Sequence, residues 1–436
     1  MKKTLVSALT FAFLTFAASA LDYTSVTSAL SDIFSSAADD NEGITSFRSL
    51  NIPAGGRAEA LGSAYTGLCD DISFFDYNPA ASCVLQNTEL AFFHNSWIAD
   101  SAEETLAGTT RFGNFGLGLQ LKCFYVPFTE YNLYGDRVAG SYYSETSATI
   151  NASYNFMAGY NFKGLAVGIN GRTSYRSVPD YTDNQTDEII SGSGLSQSAV
   201  AFMGDIGILL RFNMAKFYSG REPNLRLGIS MNNIGAALTG FGDSIEVDDP
   251  LPAKVSAGVS YRPFSFLLFT LDFKQPVNLQ SPSQLPLFSL ASGVEISITN
   301  FFSFESGLLI QGGNPRLSFG SQVDIKGAKV NVNYTFDLTS SSNPINHISV
   351  SAKLNLGDRG RAEKQKLIDA YYQKGLEYYA QGTRESLESA IEQWDLALNL
   401  DKRFDPAIEG KTAALDLIRW HELIRDFGTL DKKKQD

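Results

Sequence analysis

Lys326-Gly327-Ala328-Lys329-Val330-Asn331-Val332-Asn333-Tyr334-Thr335-Phe336-Asp337-Leu338 alternates between apolar and polar side chains. In an extended chain Ala328, Val330, Val332, Tyr334, Phe336 and Leu338 face one way, and Lys329, Asn331, Asn333, Thr335 and Asp337 face the other. Successive side chains of a strand point to opposite faces, so the stretch predicts a strand with one apolar and one polar side. The same reading turns Val200, Phe202, Ile206, Ile208, Leu210 and Phe212 outward, with Asp205 and Arg211 inward. One such strand also suits a soluble antiparallel sheet with one wet face. The number of them decides. From residue 88 to 356 the pattern recurs in segments of about ten residues, the length with which a strand crosses a bilayer. Fourteen strands are read, starting near residues 88, 102, 115, 148, 164, 198, 223, 252, 265, 286, 300, 315, 327 and 346. The expected class is an all-β membrane protein, a 14-stranded antiparallel transmembrane β-barrel.

The connections point the same way. Those at Gly113-Asn114, 161–164, 262–265, Thr299-Asn300 and Lys326-Gly327 are tight, and most of the intervening ones are longer and polar. Short turns at one end and long loops at the other are the outer-membrane pattern, with the short turns in the periplasm. The connection 213–224 is an exception, and the loop near Ala99 is short. An even strand count puts both ends of the barrel, and with them the N- and C-termini, on the periplasmic side of an outer membrane. At the start of the chain Lys2 and Lys3, an apolar run from Leu5 to Ala17 and the small residues Ala18-Ser19-Ala20 read as a signal peptide over residues 1–20.

Composition removes other classes. A formal charge of −12 does not fit a nucleic-acid partner, which needs a basic face. From Asp358 onward there are 14 basic and 16 acidic residues, so the acid excess belongs to the part before it. Cys69, Cys83 and Cys123 are too few for a disulfide framework; Cys69 and Cys83 either pair or stay thiols. Histidine occurs only at positions 94, 347 and 421, leaving few bases for a nucleophile. Gly242-Asp243-Ser244 lacks the strand-turn-helix setting of a lipase, and Gly116-x-Gly118 opens a strand, not a helix. No enzyme, cofactor or metal site is expected: the adjacent Asp70 and Asp71 are no coordination sphere, since calcium takes roughly 6 to 8 oxygens.

Ahead of the first strand the chain reads Gly55-Gly56-Arg57-Ala58-Glu59-Ala60-Leu61-Gly62-Ser63-Ala64-Tyr65-Thr66-Gly67, then Asp70-Asp71-Ile72-Ser73 and Tyr77-Asn78-Pro79-Ala80. This resembles the N-terminal plug of the FadL family of long-chain fatty acid transporters, and related barrels of the PorV type and FadL-like outer-membrane proteins of spirochaetes. The resemblance covers about residues 45–356. It implies a plug, over residues 21–87, held inside the barrel of 88–356, with Gly56, Arg57, Gly62, Tyr65, Asp70, Asp71, Asn78 and Pro79 as its motif. Taken as chemistry, Gly62, Ser63, Ala64 and Gly67 allow close backbone approach to a wall. Asp71 or Ser73 caps a short helix carrying Phe74 and Phe75, and Asn78-Pro79 ends it. Asp70 and Asp71 either only cap and solvate a loop or carry a role in the plug. Arg57 is expected to pair with a lumenal carboxylate. Phe74 and Phe75 either pack the plug or line a path for an apolar substrate. Tyr125, Phe128, Tyr131, Tyr134, Tyr142 and Tyr143, around the second outer loop, form either an apolar access patch or an interfacial girdle.

After Leu356 the period changes. Residues 357–360 read as a linker to a helical domain over 357–436, with helices near 361–380, 384–400 and 406–427, a stop at Gly382 and a cap at Asp405-Pro406. Tyr371, Gly375 and Tyr378, with Ala390, Trp394 and Ala397, resemble one tetratricopeptide repeat. Lys374 and Lys402 depart from that pattern, standing where it has leucine and proline. A single repeat cannot bury its own apolar face, so it borrows a surface from the last helix, the barrel or a periplasmic protein, with Tyr371, Tyr378 and Trp394 as partner residues if exposed. The function the resemblance implies is diffusion-driven uptake of hydrophobic molecules such as long-chain fatty acids. The alternative is a PorV-like scaffold that binds protein partners.

Overall fold

Fourteen antiparallel strands close on themselves. The computed structural model describes residues 45–432 apart from 99, 133, 161, 184–185, 187, 242–244, 280–286, 312–313 and 339–345, with side chains to residue 425. The expected signal peptide, the first part of the plug segment and Gly242-Asp243-Ser244 lie outside the described residues. The strands are β1 Glu89–Ser96, β2 Ala102–Phe112, β3 Phe115–Tyr131, β4 Arg137–Phe156, β5 Phe162–Ser177, β6 Ala199–Phe212, β7 Leu225–Thr239, β8 Glu246–Val247, β9 Ala253–Phe264, β10 Leu267–Val277, β11 Ser289–Ser297, β12 Phe302–Gln311, β13 Asn314–Ile325, β14 Ala328–Asp337 and β15 His347–Asn355. Neighbours in sequence pair, and β1 against β15 closes the ring from Glu89↔Asn355 to Ser96↔Ile348. The two-residue β8 is only a hook on the end of β7, which pairs directly with β9, so the barrel has 14 strands.

Alternation decides which face goes where. Along β14 Val330, Val332, Tyr334 and Phe336 are exposed, while Asn331, Asn333, Thr335 and Asp337 are buried. Phe202, Ile206 and Ile208 of β6 face out, and Asp205 and Arg211 face in. Leu119, Ile150, Ile169, Ile229 and Leu271 continue the outer belt on β3, β4, β5, β7 and β10. So wide an apolar surface is incompatible with water and is what a lipid-facing wall requires.

The structure moves one boundary. The fourth strand starts at Arg137 and not near 148, so Tyr142 and Tyr143 stand on a strand, leaving residues 132–136 as the loop. Two adjacent aromatics break alternation, which hid the strand. As a result β3, β4 and β5 run for 17, 20 and 16 residues, whereas β1 and β15 have 8 and 9. A tilted strand crosses a bilayer in about 9 to 11 residues, so this side of the barrel extends past the membrane at the loop end.

At the turn end, helices Arg361–Tyr379, Arg384–Leu400 and Asp405–Lys432 pack around Trp394, which is fully buried and donates its indole N–H to the Tyr372 carbonyl at 3.2 Å. A Cβ on Gly375 or Gly410 would strike that indole. Thr383 caps the second helix in a reciprocal arrangement with Ser386. The long 213–224 connection, the exception among the turns, seats this domain. Its Arg221 ion-pairs with Asp369 and stacks on Tyr160 and Phe404, 5.8 and 5.5 Å from the ring centres. Tyr160, on the β4–β5 turn, meets Phe404 edge-on at 5.2 Å.

Two outcomes test this architecture. Val332→Arg should destabilise the barrel by roughly 2 to 4 kcal/mol if it lies near the midplane, read as loss of the heat-modifiable folded band on unboiled gels, with Val332→Leu unchanged. Arg221→Ala should leave that band intact and release the helices, so that protease cuts the 357–360 linker faster than in the unmodified protein.

Candidate functional site

A plug segment lies inside the barrel. Residues 45–88 cross it in short turns: 3-10 segments Arg48–Asn51, Ile72–Asp76 and Pro79–Ala81, and the single-turn helix Arg57–Ala60. Prolines and glycines interrupt anything longer. Asp71 caps the second 3-10 segment, accepting the Ser73 N–H at 2.8 Å, and Asn78 caps the third through Ala80 at 3.1 Å. The Asn78 amide also donates to the carbonyls of Thr66 at 3.1 Å and of Ile208 on β6 at 3.0 Å, tying two plug turns to the wall. Pro79 offers its carbonyl to Asn151 of β4 at 2.8 Å.

Charge fixes the plug in place. Buried Arg57 donates Nε to Glu295 of β11 at 2.6 Å and Nη1 to Asp70 at 2.5 Å, and the Tyr65 hydroxyl reaches the same Asp70 oxygen at 2.9 Å. Asp71 meets Lys353 of β15 at 2.6 Å, while Glu59 bonds His347 and Ser349 of the same strand. Asp272 of β10 accepts the backbone N–H groups of Tyr65 and Thr66 at 2.9 and 2.8 Å. Burial opposes ionisation of Asp70 and Asp71, but Arg57 for the first and Lys353 with Arg57 for the second outweigh it and hold both carboxyls well below their ordinary range. Their contribution to stability is therefore complete above about pH 4 and is lost only as pH falls through the lowered values. Of the two roles open to these aspartates, each now has a salt-bridge partner. Removing one partner of such a buried pair costs roughly 3 to 5 kcal/mol, because the other charge is left alone.

Close contact completes the fit. Gly168 and Gly207 face each other across β5 and β6, Gly228 and Gly258 across β7 and β9, and Gly293 and Gly307 across β11 and β12. A Cβ at any of the six would collide with a plug atom, among them the Pro79, Thr66 and Leu61 carbonyls and the Gly62 nitrogen. Gly62 itself has φ +64° and lies against the backbone of Leu308. At these six positions the wall is bare and the plug lies directly on it.

Phe74 and Phe75 stack on each other at 4.4 Å and are fully buried, with the Phe75 ring lying against the bare face of Gly118. Cys69 and Cys83 are buried free thiols. Trp394 is core, and Tyr371 and Tyr378 are half-buried against it. Among the described residues no three metal-ligating side chains are gathered. What the sequence missed are the wall partners Glu295, Asp272 and Lys353 and the bare glycines. Their signal was a lone charge, or a glycine, at an inward position of an otherwise alternating strand.

Above the plug, at the loop end, the tall strands and the loop after β5 enclose an open cleft of about 560 Å³. It is lined by the apolar and aromatic residues Phe128, Tyr143, Val178, Pro179 and Tyr181 and by the polar Thr129, Glu130, Asp180 and Gln197. Phe128 and Tyr143 belong to the aromatic set singled out in the sequence. The Tyr143 hydroxyl donates to Glu145, whose other oxygen takes the Ser49 hydroxyl and its N–H. Cleft and plug are therefore in hydrogen-bond contact. Beside Ser49, Phe47 and Leu50 pack on Ala199, Ala201, Met203, Ala237 and Leu251, so the chain is at the loop end where its described part begins.

Residues 22–359 match the uncharacterised protein family UPF0164. This chain belongs to that family. One UPF0164 protein of Treponema pallidum (strain Nichols) is 30% identical over 394 residues, covering 88% of this chain and 86% of the relative. A second from the same organism is 25% identical over 404 residues, 87% and 78% of the two chains. Among solved structures the UPF0164 chain is similar to the P. putida toluene transporter TodX, at 13% identity and TM-score 0.47, over 70% of this chain and 98% of TodX. It is also similar to the CymD monoaromatic hydrocarbon channel, at 14% and 0.48, over 70% and 97%. The C-terminal helices lie beyond the family match.

Gly307→Val should dislodge the plug of this UPF0164 protein and leave the barrel closed. Gly171→Val on β5, where a Cβ meets nothing within 4 Å, should leave both plug and barrel in place. Limited proteolysis of the plug, read beside the heat-modifiable band, distinguishes the two; equal protection in both variants would contradict the fit.

Proposed function

We propose that this protein is an outer-membrane channel through which hydrophobic small molecules diffuse inward. The observation that carries it is the aromatic-walled cleft joined through Tyr143, Glu145 and Ser49 to the plug. A plug bonded across the lumen suits a ligand caught outside and handed on more than free passage of solutes. The resemblance to the FadL family supplies long-chain fatty acids as the substrate, with passage when the plug shifts or leaves a lateral opening. Phe74 and Phe75 would line that path only once the plug moves. In this reading the loop end faces outward, and the turn end, the helices and the C-terminus are periplasmic. No chemistry is required of the chain.

A second reading is favoured by the seating of the helical domain on Arg221: a PorV-like scaffold whose tetratricopeptide-like helices hold a periplasmic protein. With Trp394 in the core, the partner would meet the outer edges of Tyr371 and Tyr378. Uptake separates the readings. Cells carrying the protein should take up radiolabelled palmitic acid or hexadecane faster than cells without it. Asn78→Ala, which loses the bonds to Thr66, Ile208 and Ala80, should change uptake per folded barrel at least several-fold. Unchanged normalised uptake would remove Asn78 from gating, and no uptake of either probe by the unmodified protein would put the scaffold first.

A further inference from the structure

Five of the cleft's nine lining residues are aromatic or aliphatic, and two, Glu130 and Asp180, are acids. Both of its acids are held in fixed positions: Glu130 accepts the Thr182 N–H and hydroxyl at 3.0 and 2.9 Å, and Asp180 accepts the Gly194 and Gly192 N–H groups at 2.8 and 3.0 Å. Donors aimed at a carboxylate favour its charged form, and the Gly192 and Gly194 amides hold the Asp180 carboxyl below its ordinary range. Among the described residues no Lys or Arg lines the cleft. Arg176 reaches the Gln197 carbonyl at 3.1 Å but is paired with Asp248 at 2.9 Å, and Arg137, at the start of β4, lays its guanidinium over Gly140, across the ladder from Thr129, without lining the cleft. The lumenal cations Lys122 and Arg172 lie on β3 and β5 and are shared with Asp76 of the plug.

Segment 178–198 contains four acids and neither Lys nor Arg, and so does segment 240–252. An anionic head group entering the cleft would lose water beside the fixed Glu130 and Asp180 carboxylates, with no Lys or Arg among the described lining residues to replace it. A hydrocarbon or aromatic body can rest on Phe128, Tyr143, Val178, Pro179 and Tyr181.

We infer that the cleft selects hydrophobic molecules without an anionic group, and admits a fatty acid only as its protonated, uncharged form. This rests on the channel reading and narrows its substrate.

The test compares pyrenebutyrate with its methyl ester, two probes with the same apolar body, on the purified full chain in an uncharged detergent. At neutral pH and low salt the ester should bind roughly tenfold tighter or more, and added salt should narrow the gap by screening. Tyr181→Ala and Phe128→Ala should weaken ester binding while the heat-modifiable barrel persists. Equal or tighter binding of pyrenebutyrate would overturn the charge selection and leave the channel standing. Ester binding untouched by both substitutions would overturn the cleft as the capture site, whereas failure of cellular uptake would overturn the channel itself.

Discussion

Arg57 sits 5% exposed inside a barrel, between Asp70 of its own segment and Glu295 of the wall. A guanidinium there is tolerable only with both carboxylates present, and both carboxylates only with it. That mutual requirement positions the plug. Lys353 on Asp71, Asp272 on two plug amides and the bare glycine faces then become possible, since each depends on the plug lying at one height and rotation. The polar inner wall follows too: its side chains face a protein segment and its bonds, not an open channel.

Lipid outside and plug inside also explain what was legible. Alternation in β14 and β6 could be read because each strand separates two different surroundings, and a one-residue slip would exchange them. The plug's caps were legible for a local reason, since Asp71 and Asn78 bond to residues two positions away. Partnerships across the barrel were not: Arg57 and Glu295 are separated by 238 positions, and an inward glutamate alone names no partner. The start of β4 was hidden because Tyr142 and Tyr143 face opposite sides of a strand that has left the membrane, where both sides tolerate an aromatic ring.

The same overshoot sets up the outer end. Strands longer than a bilayer needs give the loop after β5 a wall to lean on, and Glu130 and Asp180 fasten that loop by its backbone. An aromatic surface is thereby held open above the plug. At the opposite end the one long turn serves a different purpose, placing Arg221 against Tyr160 and Phe404 so that the helices have a fixed seat. Each departure from the simple barrel pattern thus corresponds to a contact.

The central claim is that the plug is a fixed part of the folded barrel, held by buried ion pairs and backbone contact. Hydrogen–deuterium exchange on the purified, folded protein tests it most directly at the amides of Tyr65 and Thr66, which donate to Asp272. Protection comparable to that of the central barrel strands is the result expected. Exchange within seconds at those amides, while the strands stay protected, would contradict it.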